Sequence, residues 1–579
     1  MRKKIQRWQK ELVEDPFIQQ QHPILQRIYA ARNVQSKSDL DRDCQHMLSP
    51  KKLLHIEKAA SIIADALIAQ KNIMIVGDYD ADGATSSALA LKALRAFGAK
   101  HVDYIVPNRF DFGYGLTPPI VELVAEKNAD LIITVDNGIS SIEGVLAAKA
   151  HNIQVVVTDH HLAGDHLPEA DAIVNPNQPG DTFDSKNLAG VGVLFYVMLA
   201  LRRELETRNY FKEKNITQPN MTSFLDLVAL GTVADVVPLD KNNRILVYQG
   251  LRRIRAGQCS VGISALLEVG KRNQASMVAS DLGFAVGPRL NAAGRLDDMS
   301  LGIECLLATD EVLAKKMANE LDVLNHERRA LEADMQKQAL THLSQLSLSD
   351  AQEHMGVTLY DKRWHQGVVG ILASRIKDKL YRPVFAFASG DGGVLKGSGR
   401  SIPGVHIRDV LALIDAKNPG LIIKFGGHAM AAGLSVAEKD FPTFSTLFDN
   451  AIRDCVDPDI LENTLMSDGE LTSNDITLPV AQLLREAGPW GQHFPEPMFD
   501  GKFSIVEQRL VGTNHLKLVL GATGSEHAIN AIAFNVNTDA WPNERCQKIN
   551  AAYRLDVNEF RGVKSVQLII EHLEEEGVS

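Results

Sequence analysis

The stretch NIMIVGDYDADG, residues 72–83, places three aspartates directly behind a run of apolar residues. Asp78, Asp80 and Asp82 alternate with other residues, so three like charges fall within five positions. Neighbouring carboxylates repel one another, and burying an unpaired carboxylate is costly. The arrangement is stable only where positive charge lies among the aspartates or where water reaches them. The stretch therefore favours a metal site, a phosphate-facing turn or an exposed acidic loop.

The apolar run in this stretch is the first of several between about residues 71 and 174. The others are HVDYIVP, LIITVDNG and IQVVVTDHH, and helical stretches separate them. Short runs rich in Ile and Val at this spacing predict βαβ units, that is, an α/β fold whose parallel sheet is buried on both faces. The acidic clusters follow the strands, and ligands bind at the carboxyl edge of such sheets. We therefore expect Asp78 to Asp82, Asp136 and Asp159 to His161 to converge in one cleft.

A later apolar segment, FLDLVALGTVADVVPL, could bring Asp235 to the same edge. The ends of adjacent strands would then supply four carboxylates and an imidazole, from Asp80, Asp82, Asp136, His160 and Asp235. Oxygen ligands with one or two histidines suit manganese or magnesium better than zinc. Five or more ligands could hold a pair of ions, and two ions about 3.5–4 Å apart can activate water for attack on phosphorus and stabilise the departing oxygen.

Each acidic cluster also has a structural explanation. Acidic turns after strands are common and are often only solvated, and the Asp-Asn-Gly of TVDNG is good turn chemistry. One histidine of TDHH could simply cap the next helix. Three such clusters at successive strand ends nevertheless favour a metal site.

The rest of the chain divides into three parts. A segment from about Glu311 to Leu346 has apolar residues at helical spacing and predicts one long connecting helix. A second α/β region follows, from about Gly356 to Asp449, and contains HQGVVGILASR, LKGSGRS and KFGGHAMAAG. From Leu471 onward, short alternating segments such as HLKLVLG and AINAIAFNV predict a small β-barrel.

Composition limits the class of protein. The chain has 579 residues, of which 45% are hydrophobic, so it is long enough for two to four packed domains. The start, MRKKIQRWQKELVEDP, lacks the apolar core of a signal peptide, and the five scattered cysteines form no CxxC pair, so we expect a reducing cytoplasm. The formal net charge of −11 does not favour nucleic acid, so any site for a polyanion must be local.

Taken together, these motifs resemble the DHH phosphoesterase superfamily, which is named for the run that stands here as Asp159, His160 and His161. The resemblance covers GDYDADG, TVDNGIS, TDHH, GTVADVVPL and GGHAMAAG. With LAGVGV, GPRLNAAGRL and the β-rich tail, the chain resembles the superfamily's exonucleases that degrade single-stranded DNA from the 5′ end. The resemblance implies five parts: an N-terminal extension (1–45), a parallel-sheet DHH catalytic domain (46–310), a connecting helix (311–350), a smaller α/β DHH-associated domain (351–455) and an OB-fold-like β-barrel (456–579).

The resemblance also implies roles for single residues. The metal ligands would be Asp78, Asp80, Asp82, Asp136, His160 and Asp235, with Asp136 bridging two manganese or magnesium ions. His161 would contact the scissile phosphate, so that Asp136, His160 and His161 act in catalysis. Substrate would be bound by Arg109, Arg289, Ser398, Arg400 and His428, and the last three would hold the 5′ phosphate. For Arg289 a structural salt bridge is the alternative, and for the glycines beside Ser398 a packing turn.

The resemblance predicts a cytoplasmic, monomeric exonuclease that hydrolyses single-stranded DNA 5′ to 3′ to mononucleotides in DNA recombination and repair. Its partners would be a single-strand DNA-binding protein and a helicase. Two alternatives stay open: a phosphoesterase of short oligonucleotides or cyclic dinucleotides, and a scaffold that binds DNA or a helicase without cutting.

Overall fold

The computed structural model describes residues 3–107, 115–345, 354–427, 429–455, 463–522 and 528–576. The strands, numbered along the chain, are β1 (Lys4–Arg7), β2 (Ile73–Gly77), β3 (Val102–Ile105), β4 (Leu131–Val135), β5 (Gln154–Thr158), β6 (Ala172–Val174), β7 (Val357–Tyr360), β8 (Val384–Ser389), β9 (Val394–Arg400), β10 (Ile422–Gly427), β11 (Ala431–Ala437), β12 (Thr464–Ser467), β13 (Phe499–Val511), β14 (His515–Ala522), β15 (Ala528–Ala533), β16 (Lys548–Phe560) and β17 (Val563–Glu575).

The α-helices are α1 (Pro16–Gln19), α2 (Pro23–Ala31), α3 (Ile56–Ile68), α4 (Ala81–Ala96), α5 (Pro118–Glu126), α6 (Ile142–Ala150), α7 (Gly190–Thr207), α8 (Tyr210–Glu213), α9 (Leu225–Ala234), α10 (Lys241–Arg255), α11 (Val261–Val269), α12 (Ala279–Asp281), α13 (Gly287–Leu296), α14 (Ser300–Leu307), α15 (Glu311–Gln345), α16 (Val369–Leu380), α17 (Ile407–Lys417), α18 (Phe441–Cys455) and α19 (Leu478–Ala487). A π-helical turn, Leu282–Val286, leads into α13.

The first sheet has the strand order β3-β2-β4-β5-β6, and every neighbouring pair is parallel. Every residue of β2 and β4 is buried. Alternate residues face different helices, since Ile73 and Ile75 pack with α3, α4 and α7 whereas Met74 and Val76 pack with α5 and α6. The predicted parallel sheet, covered on both faces, is confirmed.

The register of this sheet brings its carboxyl ends together. Gly77 at the end of β2 lies opposite Val135 at the end of β4, and Val135 lies opposite Thr158 at the end of β5. The turns that follow these three strands therefore open at one edge of the sheet, as the sequence predicts.

Asp235 reaches this edge from a helix and not from a strand, which corrects the prediction of adjacent strand ends. The apolar segment before it forms α9, and residues 225–232 are all buried. A helix buried on every side has no polar face, so its sequence shows no helical period and reads like a core strand. Asp235 is the first residue beyond α9.

The chain forms two compact units, one of Met1–Arg7 with His326–Ser467 and the other of Trp8–Asn325 with Asp468–Ser579. The division falls within α15, which confirms the predicted long helix. The first unit contains a mixed sheet of order β10-β11-β9-β8-β7 with its own core. Within that unit, Glu332 of α15 accepts a hydrogen bond from Arg375 of α16 at 2.6 Å.

The second unit contains, besides the parallel sheet, a closed barrel of order β13-β14-β15-β17-β16. This confirms the predicted C-terminal barrel. The buried pair of Arg32 and Asp468 ties the segment before the barrel to the end of α2. Among the described residues, no helix is both long and apolar enough to cross a membrane.

Candidate metal centre

The turn after β2 is shaped by its own aspartates. Asp80 caps α4, because its Oδ1 accepts hydrogen bonds from the amides of Asp82 at 2.9 Å and Gly83 at 3.0 Å. A Cβ atom at Gly83 would lie 2.6 Å from the carbonyl carbon of Asp78, so only glycine lets the helix start so close to the strand. Asp78 itself is buried and accepts from the amide of Tyr79 at 2.8 Å.

The carboxylate of Asp82 is held by a second helix. Its Oδ2 accepts from the amide of Gly190 at 2.6 Å, and its Oδ1 accepts from the amide of Val191 at 2.9 Å. These are the first two residues of α7, where free amides and the helix dipole favour negative charge. Asp82 is 1% exposed, so α7 fixes both of its oxygens inside the protein.

Asp136 and His160 meet at the centre of the cluster. The Nε2 atom of His160 lies 3.2 Å from Oδ1 of Asp136 and 3.5 Å from Oδ2 of Asp235. Asp136 is 2% exposed and has φ of +62°, a left-handed conformation that turns the chain sharply after β4. The carbonyl of His160 is held by a hydrogen bond of 2.6 Å from Asn177.

The possible ligand atoms form three overlapping sets, and the atoms of each set lie within 4.8 Å of one another. The sets are Asp78 with Asp80 and Asp136, Asp136 with His160 and His161, and Asp82 with His160 and Asp235. Asp136 belongs to the set of Asp78 and Asp80 and also lies 3.2 Å from His160, a member of the set of Asp82 and Asp235, which supports the prediction that it bridges two ions. Five carboxylates with histidine nitrogen form a donor set suited to manganese or magnesium. All six predicted ligands therefore come together, and their chemistry fits the predicted ions.

The electrostatics of the cluster show why it needs positive charge. The pKa of Asp82 is raised to about 7, first by burial and then by the charge of Asp235. Burial and the charge of Asp80 raise the pKa of Asp235 to about 8. Burial and the neighbouring carboxylates also raise the pKa of Asp136 well above its usual value. Without a cation, the cluster must therefore hold protons that a metal would displace.

His160 and His161 differ in charge. Burial and the charge of His161 lower the pKa of His160, so its imidazole is neutral, as a metal ligand must be. His161 is only partly buried, and burial alone would lower its pKa, but its Nδ1 bonds Oδ1 of Asp159 at 2.8 Å, which raises the pKa to about 9. Burial alone would raise the pKa of Asp159, but its hydrogen bond with His161 outweighs that effect and lowers the pKa to about 2. His161 is therefore an imidazolium at neutral pH, beside a neutral ligand.

We expect manganese to raise the melting temperature more at pH 8 than at pH 6. Without metal, the raised pKa values of Asp82 and Asp235 mean that the folded protein holds protons that the unfolded chain releases. Its stability therefore falls as the pH rises from about 4 through about 8. Manganese replaces those protons and offsets the loss. Scanning calorimetry with manganese or with EDTA measures this, with KCl added to equalise ionic strength, and an equal metal effect at both pH values would contradict the expectation.

Two further residues support the centre, and reasoning from spacing missed them. Asn291 of α13 accepts from the amide of Ala81 at 2.7 Å, so the GPRLNAAGRL motif holds the aspartate turn. Gly190 packs so tightly that a Cβ there would lie 2.6 Å from Oδ1 of Asp136. The sequence signals for them were the motifs LAGVGV, which contains Gly190, and GPRLNAAGRL, which contains Asn291. The sequence alone did not show which residues these motifs contact.

The predicted substrate-binding residues lie in different places. Arg289 is buried, donates to the carbonyl of Ala285 at 2.5 Å and pairs with Asp322 at 2.7 Å, so the structural salt bridge considered above is present. Its role in substrate binding stays a prediction. Arg109 and His428 lie outside the described residues.

Ser398 and Arg400 lie together on β9, where Arg400 Nη1 is 3.2 Å from the Ser398 hydroxyl. Arg400 has no salt bridge to any residue that the structure describes, and burial lowers its pKa. The glycines of GSGRS lie in a strand and form neither a loop with free amides nor the packing turn considered above. Gly397 and Gly399 lie within the strand ladder, where a side chain would collide with the rings of Phe387 and Phe385.

Comparison with known proteins agrees with this arrangement. Three family descriptions match in order: "DHH family, N-terminal domain" over residues 72–232, "DHHA1 domain" over 353–454 and "RecJ OB domain" over 467–572. Two relatives carry the name single-stranded-DNA-specific exonuclease RecJ. The protein from Dickeya dadantii is 55% identical and that from Escherichia coli 53%, and each match covers 95% of this chain and 96% of the relative.

A solved structure extends the likeness to the whole fold. The crystal structure of RecJ in complex with Mn²⁺ from Thermus thermophilus superimposes with a TM-score of 0.78 and 29% identity, covering 98% of this chain and 79% of that one. With three matched domains in order and relatives more than half identical over almost the full length, this chain belongs to the RecJ family of DHH proteins.

Proposed function

We propose that this protein is a manganese- or magnesium-dependent exonuclease that degrades single-stranded DNA from the 5′ end and releases 5′ mononucleotides. The observation that carries the proposal is the cluster of five carboxylates and His160 at the carboxyl edge of the parallel sheet. The relatives' common name supports the substrate, and solved RecJ structures with Mn²⁺ and with Mg²⁺ support the ions.

The residues of the metal centre would have different roles in phosphodiester hydrolysis. Bound divalent ions would lower the pKa of water and neutralise charge on the phosphate. Asp136 would be the ligand that both ions share, since it groups with Asp78 and Asp80 and also lies 3.2 Å from His160. His161, kept protonated by Asp159, is suited to donate a hydrogen bond to a phosphate oxygen as negative charge builds up there. The buried Asp159 keeps the imidazole oriented.

We propose that Ser398 and Arg400, together with His428, which lies outside the described residues, form a pocket that binds the 5′ phosphate and sets the polarity. Arg400 offers a guanidinium without a carboxylate partner among the described residues, and planar guanidinium groups suit phosphate oxygens. A terminal phosphate carries more negative charge than an internal one, so such a pocket favours a strand end. The position of Ser398 beside Arg400 supports a joint role.

Arg400→Gln should remove most of the preference for a 5′-phosphorylated strand over a 5′-hydroxyl strand. A hydrogen bond to a charged group contributes about 1.5–3 kcal/mol, so we expect a loss of about 10- to 100-fold in kcat/KM on the phosphorylated strand. Activity on the 5′-hydroxyl strand should change little. Arg408→Gln, an exposed arginine on α17, is the matched control. Equal losses on both strands would count against a phosphate pocket here.

The main experiment uses single-stranded DNA labelled at its 3′ end, with manganese. The intact protein should shorten the strand from its 5′ end to mononucleotides, and the variant with Asp136→Ala and His160→Ala should not. The exposed neighbours Asp165→Ala and His166→Ala form the control pair. Survival of long strands while dinucleotides are consumed would point to a small-substrate phosphoesterase, and binding without cleavage would point to a scaffold.

The cellular setting follows from the same proposal. We propose that the enzyme acts in the cytoplasm as a monomer, in DNA recombination and repair. A helicase supplies the single strand, and a single-strand DNA-binding protein meets the enzyme on it.

A further inference from the structure

A second cluster of like charges lies away from the metal centre, and its sign is opposite. It borders a cavity of about 740 Å³ within the unit that contains the parallel sheet and the barrel, here called the seam cavity. Residues of α10, the π-helical turn and α19 line it, together with β16 and β17. The cavity is large enough for a nucleotide, since small-molecule sites occupy about 300–1,000 Å³.

Arg255, the last residue of α10, and Arg485 of α19 form the basic end of the seam cavity. Neither makes a salt bridge to a described residue; Arg255 donates only its Nε–H, to the carbonyl of Met277 at 2.7 Å. The pKa of Arg255 is lowered, first by burial and also by the charges of Arg485 and Arg42, although Glu486 acts in the opposite direction. Cations gathered in this way are stabilised by an anion among them.

The other arginines that line the seam cavity are neutralised. Arg272 pairs with Asp281 at 3.1 Å, and Arg554 pairs with Glu496 at 2.6 Å. The cavity as a whole is therefore not a basic channel for a long polyanion. Glu486 and Asp556 also line the cavity, so its lining as a whole carries no excess of positive charge. Around Arg255, however, Arg485 and Arg42 outnumber Glu486, and this local excess suits one anionic group.

Aromatic and aliphatic side chains surround this basic end. Tyr248, Leu251, Leu484 and Trp490 line the cavity, and Trp490 is fixed by a hydrogen bond of 2.9 Å to the carbonyl of Leu484. The Trp490 ring also stacks on Phe494 at 5.1 Å. An anion bound here would therefore carry a flat or apolar body, as a nucleotide does.

One residue that lines the seam cavity is next in sequence to a predicted metal ligand. Val236, which directly follows Asp235, lines it and is 64% exposed. Its φ of +61° is rare for a β-branched residue, and such strain persists where the surrounding structure imposes it. Leu239, two residues before α10, and Arg255, the last residue of α10, both line the cavity, so it extends about 20 Å at 1.5 Å per residue.

We propose that Arg255 and Arg485 bind the phosphate of a nucleotide at a second site, remote from the metal centre, with its base against Tyr248 and Trp490. This inference rests on the proposed function, because that activity supplies the ligand. The nucleotide is either the mononucleotide product or one nucleotide of the bound strand, and the two sources share the same chemistry.

The test uses the full chain carrying both Arg255→Gln and Arg485→Gln. The control is Arg252→Gln, which replaces an exposed arginine of α10. Binding of deoxyadenosine 5′-monophosphate is measured by calorimetry in EDTA, which leaves the metal centre without its ions. Each protein also carries Arg400→Gln, so that the other expected phosphate site is removed. In parallel, without Arg400→Gln and with manganese, KM is measured for a dinucleotide and for a strand of about 12 nucleotides, within the range that such barrels bind.

If the product is the ligand, the double variant should bind the mononucleotide about tenfold more weakly, and the control should bind as the intact protein does. If the strand is the ligand, KM for the long strand should rise about tenfold while kcat and the dinucleotide KM stay the same. No change in either arm would overturn the second site, and so would binding of an acidic peptide instead of nucleotides at these arginines. Mononucleotide binding that depends on the arginines, in a protein that cuts no DNA, would leave the site in place and refute the nuclease.

Discussion

Gly190→Ala is expected to inactivate the enzyme although residue 190 carries no functional group. A Cβ atom at this position would lie 2.6 Å from both the Cβ and Oδ1 of Asp136, closer than real side-chain atoms approach. Since the start of α7 also holds Asp82, neither element can move without displacing a metal ligand. A displacement of about 1 Å in such a site costs about 10²-fold in rate or more.

The matched control is Gly192→Ala, on the same turn of α7. A Cβ there would lie 3.1 Å from the end of the Leu188 side chain, which can shift. Manganese-dependent nuclease activity and manganese binding by calorimetry should therefore both fail in Gly190→Ala and persist in Gly192→Ala. If Gly190→Ala kept normal manganese affinity and rate, the proposed geometry of Asp136 as a bridging ligand would be wrong.

His161→Asn should lower kcat by about 10²–10³-fold, as the loss of one donor to a developing oxyanion does in other enzymes. Manganese binding should change little in comparison, because six other side chains supply ligand atoms. Measurements of kcat at saturating manganese and DNA test this. The control is His166→Asn, an exposed histidine a few residues along the same loop.

A second variant separates the charge of His161 from its shape. Asp159→Asn removes the carboxylate that raises the pKa of His161 to about 9, so the imidazole should titrate nearer to its ordinary value of about 6.5. The ratio of variant to intact rate should therefore fall as the pH rises from 6 to 8. A ratio that does not depend on pH would show that His161 does not act as a cation.

Strand ends were the most informative feature of the sequence. Runs such as LIITV are almost entirely apolar because both faces of β4 are buried, and the residue that follows each run therefore lies at the open edge of the sheet. This is why Asp78, Asp80, Asp82, Asp136 and His160 could be placed together from the sequence alone. Their roles as ligands, and that of His161, came from the family resemblance.

The contacts that shape the site could not be read from the chain. The amides of α7 that hold Asp82, and Asn291 that holds the aspartate turn, are far from their partners in sequence and carry no periodic signal. The sequence did not show that a helix precedes Asp235, because α9 is buried and has no polar face. The sequence does not show why β9 contains glycines, because a glycine that makes room for a phenylalanine ring looks the same as one in a turn or a phosphate-binding loop.

The hydrogen bonds from α7 to Asp82 also matter when no metal ion is bound. A helix terminus carries roughly half a positive elementary charge, and this charge cannot diffuse away or be chelated. It offsets part of the repulsion among the carboxylates when the ions leave, while two amides keep the oxygens of Asp82 in place. The helix thus serves as a permanent partial counterion, so an enzyme stripped of metal keeps a site shaped to be filled again.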